Sequence, residues 1–174
     1  LNFRTFPIRV NSNKYLHSET NKILTADDMD IMRATDQGDL IKVLHGDSGG
    51  CYDDQVEITW DEVTNQSGIK TINKDQEIRE RTSLTKLERR VYTFSKKNLV
   101  DAIRFNRGNG NMYVSINFIN YVDATASGKN GGIDKVSDKI LNWLRDNVQK
   151  QCFNSGANLK FLGTGPRTDD MILL

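Results

Sequence analysis

Asn98–Tyr121, which reads NLVDAIRFNRGNGNMYVSINFINY, constrains the chain more than any other stretch. Ser95 fits the N-cap of a helix over Lys96–Phe105, in which Leu99, Ala102 and Ile103 fall on one face. Arg107-Gly-Asn-Gly-Asn111 must then turn, because glycine and asparagine tolerate positive φ. Met112–Tyr121 alternates, with Met112, Val114, Ile116 and Phe118 on one side and Tyr113, Ser115, Asn117, Ile119 and Tyr121 on the other. The order predicts a central parallel strand with helices at Ser95–Phe105 and Ile133–Gln151 beside it. The face with Val114, Ile116 and Phe118 is expected under those helices. The face with Ser115 and Asn117 is expected in a cleft, where polar groups can serve a ligand.

Other segments carry weaker signals. Phe3–Val10 is a short strand candidate interrupted by Pro7, which suits an edge. Thr25-Ala-Asp-Asp28 looks like a helix start, with Thr25 as cap and acids in the first turn. Leu40–Leu44 lies between glycines and reads as a buried strand. Gln55–Trp60 alternates Val56, Ile58 and Trp60 with polar partners and reads as a half-buried strand. Thr64–Gly68 reads as a loop and Ile69–Ile72 as a brief strand. Asp75–Arg90 mixes charges of both signs, the pattern of a solvated face. Ile133–Gln151 is the clearest helix, through a stripe of Ile133, Val136, Ile140, Trp143, Leu144 and Val148. Leu159–Leu162 and Met171–Leu174 are the last strand candidates, separated by a Gly-Thr-Gly-Pro-Arg loop. From Leu40 onward, strands alternate with helices, which predicts an α/β class.

At 174 residues the chain suits one domain spanning 1–174. Hydrophobic residues make up 37% and charged residues 27%, a globular composition rather than a disordered one. The net charge of +1 gives no push toward nucleic acid or an anionic membrane. No apolar run approaches the roughly 18–20 residues of a membrane span. The start at Leu1 and the apolar end at Met171–Leu174 leave two readings level: a piece of a longer barrel domain, or a processed chain whose last strand docks at a sheet edge. Cys51 and Cys152 have no Cys-x-x-Cys spacing, so no zinc site is expected, and a disulfide between them is left open.

Gly46-Asp-Ser-Gly-Gly50 resembles the nucleophile motif of chymotrypsin-like proteases. Only 47 residues precede Ser48, and His17 and His45 are the only histidines, so the two-barrel frame of that family has no room here. Met32-Arg-Ala-Thr-Asp36, followed by Tyr92-Thr-Phe-Ser95, resembles ADP-ribosyltransferases, an α+β alternative that would use Arg33. That family also needs a downstream catalytic glutamate, whereas the last glutamate here is Glu88.

A longer run resembles the C-terminal half of bacterial phosphatidylinositol-specific phospholipase C. Gly38-Asp-Leu-Ile-Lys-Val-Leu44, Ser48-Gly-Gly-Cys-Tyr52, Trp60, Asp75, Tyr113–Phe118, Ser127-Gly128, Ile133–Gln151, Arg167 and Met171–Leu174 follow that family's order. The resemblance implies part of a (β/α) barrel, with polar strand ends binding an inositol headgroup. The family's catalytic histidine pair lies in its other half, so catalytic residues are unassigned here. The family arginine falls on His45 and its stacking tyrosine on Glu77. The implied substrate-binding residues are Asp75, His45 and Asn117, with no cofactor and no metal. The implied partner is a phosphoinositide or related phosphodiester with peripheral membrane contact and no nucleic acid. A secreted phosphoric diester hydrolase of lipid metabolism is the expectation that follows. A non-catalytic binding module is the remaining class: Arg79–Arg107 interleaves cations with Tyr92 and Phe94, although its acids favour a solvated face.

Overall fold

Val114 and Ile116 are fully buried, and the strand that carries them, β8 (Met112–Asn117), lies inside a four-stranded sheet. The structure is a computed structural model that describes residues 1–9, 14–44, 51–82, 88–108 and 110–174. Two compact units make up the chain, Leu1–Ile8 with Cys51–Leu174, and Arg9–Gly50.

In the larger unit, β1 (Asn2–Arg4) pairs parallel with β8, placing Arg4 opposite Asn117. On the other side β9 (Ala157–Gly163) also runs parallel to β8, with a register shift between Val114 and Ser115. The antiparallel β10 (Met171–Leu173) closes the order β1-β8-β9-β10. The central parallel strand expected from the sequence is present, shorter at its end.

The crossover from β8 to β9 carries α5 (Asp138–Leu144), a π turn over Arg145–Gln149 and α6 (Lys150–Asn154). Ile140, Leu144, Val148 and Cys152 are all buried, at steps of four. In an α-helix of 3.6 residues per turn, such steps drift by about 40° each. The wider π turn reduces that drift and keeps Val148 and Cys152 facing the core. Ser137 caps α5, so the helix begins later than the apolar stripe implied; Ile133–Lys135 is a separate 3₁₀ turn.

α4 (Lys96–Asn106) starts where expected, with Ser95 accepting from the Asn98 N–H at 2.8 Å. It buries Leu99 and Ile103 in the same core. A second, three-stranded sheet has the order β2 (Ile8–Arg9), β7 (Arg90–Tyr92), β6 (Glu57–Ile58). The expected strand Gln55–Trp60 is therefore only two residues long. A capping box of Thr59 and Glu62 starts α2 (Trp60–Ser67), where a loop was expected, and α3 (Ile69–Ile72) replaces the expected strand. In α2, capping overrides the β-like alternation, and burial of Trp60 and Val63 holds the helix down. Within the charged run, Arg79 pairs with Asp61, Glu77 and Glu88 at 2.7, 2.8 and 3.2 Å, a partly exposed network of the kind that adds little stability.

The smaller unit holds β3 (Lys14–His17), β4 (Ile23–Leu24), α1 (Ala26–Ala34) and β5 (Ile41–Leu44). Both β4 and β5 pair antiparallel with β3. Thr25 and Asp28 form the capping box of α1. The segment read as a buried barrel strand, Leu40–Leu44, is instead an antiparallel strand with exposed Lys42. The chain is thus mixed α/β with several small sheets, and among the described residues no sheet closes into a barrel. Segregation of helices and antiparallel strands in part of the chain is also compatible with the α+β alternative.

Candidate functional site

The carboxyl ends of the neighbouring parallel strands β8 and β9 lie side by side, the position where open α/β sheets place ligands. Thr5 continues β1 and is fully buried. Its N–H donates to the Asn117 carbonyl at 3.1 Å and its hydroxyl to the Phe118 carbonyl at 2.7 Å. These bonds anchor the strand end at the residue where the chain leaves the sheet. Phe118 has φ 62 and ψ 38, a left-handed conformation rare for a bulky residue. Such a conformation costs on the order of 1–3 kcal/mol and persists where its surroundings over-determine it. A 3₁₀ turn, Ile119–Tyr121, follows at once.

Gly163 ends β9 beside Asn117. A Cβ on Gly163 would stand 2.6 Å from Asn117 Oδ1, so only glycine lets the amide lie there. The loop from Thr164 to Asp170 then folds over the strand ends. The Thr164 N–H donates to the Asp170 carbonyl at 2.9 Å, and the Arg167 N–H to Asp170 Oδ2 at 3.0 Å. The Thr164 hydroxyl donates to the Lys129 carbonyl at 2.6 Å and ties the loop to the crossover.

Between these parts is a cavity of about 330 Å³, bordered by Asn117, Phe118, Gly163, Gly165, Arg167 and Asp170 among others. Its size is that of a small-molecule site. Its groups differ in kind. Asn117 offers a carboxamide that both donates and accepts. Phe118 offers an aromatic ring, and Arg167 lies exposed at the rim. The Arg4 guanidinium lies 3.8 Å from the Phe118 centroid. Arg4 is ion-paired to Glu80, and the Tyr121 hydroxyl donates to the same carboxylate oxygen at 3.0 Å. Burial and the nearby Glu80 charge push the Tyr121 hydroxyl well above its usual range, so it stays a neutral donor.

Of the substrate-binding residues expected from sequence, Asn117 borders this cavity. Asp75 is exposed in the loop after α3, its N–H donating to Asn73 Oδ1 at 3.2 Å, and does not border it. His45 lies outside the described residues, as does the Gly46–Gly50 motif. Glu77 is engaged by Arg79. Arg33, expected on a strand in the transferase reading, is in the last turn of α1, exposed and 3.6 Å from Asp30. Sequence reasoning passed over Thr5, Arg4 and Glu80, whose role depends on contacts between distant segments. It took Gly163–Pro166 as a connecting loop and Arg167 as a match to the phospholipase C order, not as part of this cavity. A strand followed by Gly-x-Gly-Pro-Arg was the available signal. Among the described residues no cluster of three metal-ligating side chains occurs.

No family model matches the chain, and no curated protein does. A solved structure does: the succinoaminodeoxyadenylate synthetase (PurZ) of cyanophage S-2L, bound to dGMP and to dATP as an energy donor. The likeness covers 98% of this chain at 24% identity and a TM-score of 0.50. It spans 31% of that protein's length, so this chain corresponds to about a third of it. The fold is therefore like part of a nucleotide-binding synthetase. This corrects the phospholipase C reading: family, barrel, lipid metabolism and phosphoinositide partner with membrane contact all rested on a strand order that the sheet does not have. The transferase and non-catalytic alternatives gain no support from the comparison either.

Proposed function

We propose that this chain binds a purine nucleoside triphosphate and contributes the base site of a synthetase-type ligase. The observation that carries the reading is the cradle of Asn117, Phe118 and Gly163 at the ends of two parallel strands. A purine needs a flat apolar face and a group that both donates and accepts at its edge. Phe118 supplies the first, since base–aromatic stacking contributes about 1–3 kcal/mol. Asn117 supplies the second: asparagine matches adenine's paired donor and acceptor, worth about 1–3 kcal/mol of discrimination. The Asn117 NH₂ group has no protein hydrogen-bond partner among the described residues, and Oδ1 has only a long one from Ser115 at 3.4 Å. Gly163 leaves the approach open, and Arg167 at the rim suits a phosphate. The likeness to a synthetase bound to dATP as an energy donor supports the same assignment.

Titration of the chain with ATP by calorimetry tests it. ATP is expected to bind, and Asn117→Ala to weaken it about tenfold, equivalent to about 1.4 kcal/mol. Failure of ATP to bind at millimolar concentration would overturn the proposal, as would an Asn117→Ala protein that binds as the parent does.

A further inference from the structure

Phe118 combines three features that packing alone does not require together. Its backbone is left-handed, it borders the cavity, and the guanidinium carbon of an arginine that does not border the cavity stands 3.8 Å from its ring centroid. The arginine is itself held. Arg4 donates to Glu80 Oε1, the atom that also accepts from the Tyr121 hydroxyl. Tyr121 stands 5.1 Å from the Phe118 ring and edge-on to Trp60 at 6.3 Å, and Trp60 is locked by a 2.6 Å bond from its Nε1 to the Arg89 carbonyl. Arg4 Nε is buried without a hydrogen-bond partner among the described residues. The guanidinium thus combines an ion pair through Nη2 with a cation–π contact to the Phe118 ring.

We infer that Arg4 is a positioning residue: with Glu80 and Tyr121 it clamps Phe118 as a preformed stacking platform for the nucleotide's base. The inference rests on the base-site reading above and deepens it. One face of the ring carries the cation, leaving the ring's other side toward the cavity for an electron-poor purine. Holding the ring before the ligand arrives removes part of the ordering cost of binding. The chain commits a part-buried ion pair, a strained backbone and a tyrosine hydroxyl to one aromatic side chain. A merely space-filling phenylalanine would need none of them.

The test uses ATP on the full chain with Phe118→Leu, Arg4→Met and Glu80→Gln. Each variant is checked for folding by circular dichroism. A parallel set carries Phe118→Trp, whose emission ATP should quench by stacking. Phe118→Leu and Arg4→Met are each expected to weaken ATP binding about tenfold, or about 1.4 kcal/mol, and Glu80→Gln about threefold. In the tryptophan set, Arg4→Met should also reduce the quench at saturating ATP, which a general loss of stability in a still-folded protein would not do. If Phe118→Leu weakens binding while folded Arg4→Met and Glu80→Gln proteins bind and quench as the parent, the clamp is refuted and the base site stands. If the parent does not bind ATP, or Phe118→Leu binds as the parent, the base site falls and the clamp with it. Should Arg4→Met not fold, Glu80→Gln alone decides: parental affinity and quench refute the clamp, and loss of both supports it.

Discussion

Gly163→Ala tests the geometry of the cradle without touching a charge. The new Cβ would stand 2.6 Å from Asn117 Oδ1 and 3.3 Å from Asn117 Cα. The amide can swing aside, but the Asn117 backbone cannot easily follow, because Thr5 holds its carbonyl at 3.1 Å. Overpacking of this kind costs about 1–3 kcal/mol. Alanine recovers about 0.4–1 kcal/mol over glycine by restricting the unfolded chain, since Gly163 does not need a positive φ. The net expectation is a loss of about 1 kcal/mol, with weaker ATP binding because the amide has moved. Asn117→Ala removes the obstructing oxygen, so in that background Gly163→Ala should be nearly neutral. The coupling between the two sites is then about 1–2 kcal/mol, measurable by urea denaturation of the parent, both single variants and the double. Independent sites add within about 0.3–0.5 kcal/mol; additivity at that level would refute the contact between Asn117 and Gly163 and with it the shape assigned to the cavity.

Three further outcomes are expected. Thr5→Val removes the hydroxyl bonded to the Phe118 carbonyl while keeping the buried volume, and should cost about 1 kcal/mol in denaturant and weaken ATP binding as well; unchanged binding would separate Thr5 from the site. For Asp123, burial alone would raise the carboxyl, but hydrogen bonds from Ser137 and Thr125 outweigh it and leave it below its ordinary value. A depressed folded value means stability that is present above the unfolded pKa of about 3.9 and lost as pH falls through the folded one, so the stability gap between the parent and Asp123→Asn should shrink below about pH 4, and a constant gap would count against this. Burial pushes the Cys152 thiol up to about 11 while Cys51 is exposed, so a thiol reagent at neutral pH should label one cysteine in the native protein and both in denaturant; rapid native labelling of both would contradict the packing of α6.

The parts of the fold legible in the sequence are those decided by short-range chemistry. Ser95 and Thr25 announce α4 and α1 because a capping hydroxyl acts within three residues of itself. The alternation of Met112–Asn117 marks a strand buried between two others. Gln55–Trp60 misled because its apolar spacing over Val56, Ile58 and Trp60 has the period of a strand, whereas Thr59 and Glu62 close a capping box that starts a helix at its end. Leu40–Leu44 fitted a barrel strand of the phospholipase C resemblance because glycine-bounded apolar runs look alike in parallel and antiparallel sheets. Pairing partners are set by residues far apart in sequence, here β3 with β5, and a single sequence does not display them.

The same distinction explains why Asn117 was visible and its neighbours were not. Alternation put Asn117 on the polar face, and the sheet keeps it there. One residue later, alternation put Phe118 with Val114 and Ile116 in the core. The structure instead turns Phe118 out of the strand in a left-handed conformation, at the border of the cavity and with its ring against Arg4. Nothing local asks for that. Phenylalanine disfavours positive φ, and no glycine or proline stands beside it. The conformation exists because Thr5 takes its carbonyl, Tyr121 returns a hydrogen bond to the same carbonyl at 2.9 Å, and Arg4 takes the ring. Three segments, near residues 4, 80 and 120, converge to hold one side chain against its own preference. Breaks of a local rule concentrate at functional or strained sites. The departure from the strand pattern at Phe118 is therefore the feature on which the proposed base site turns.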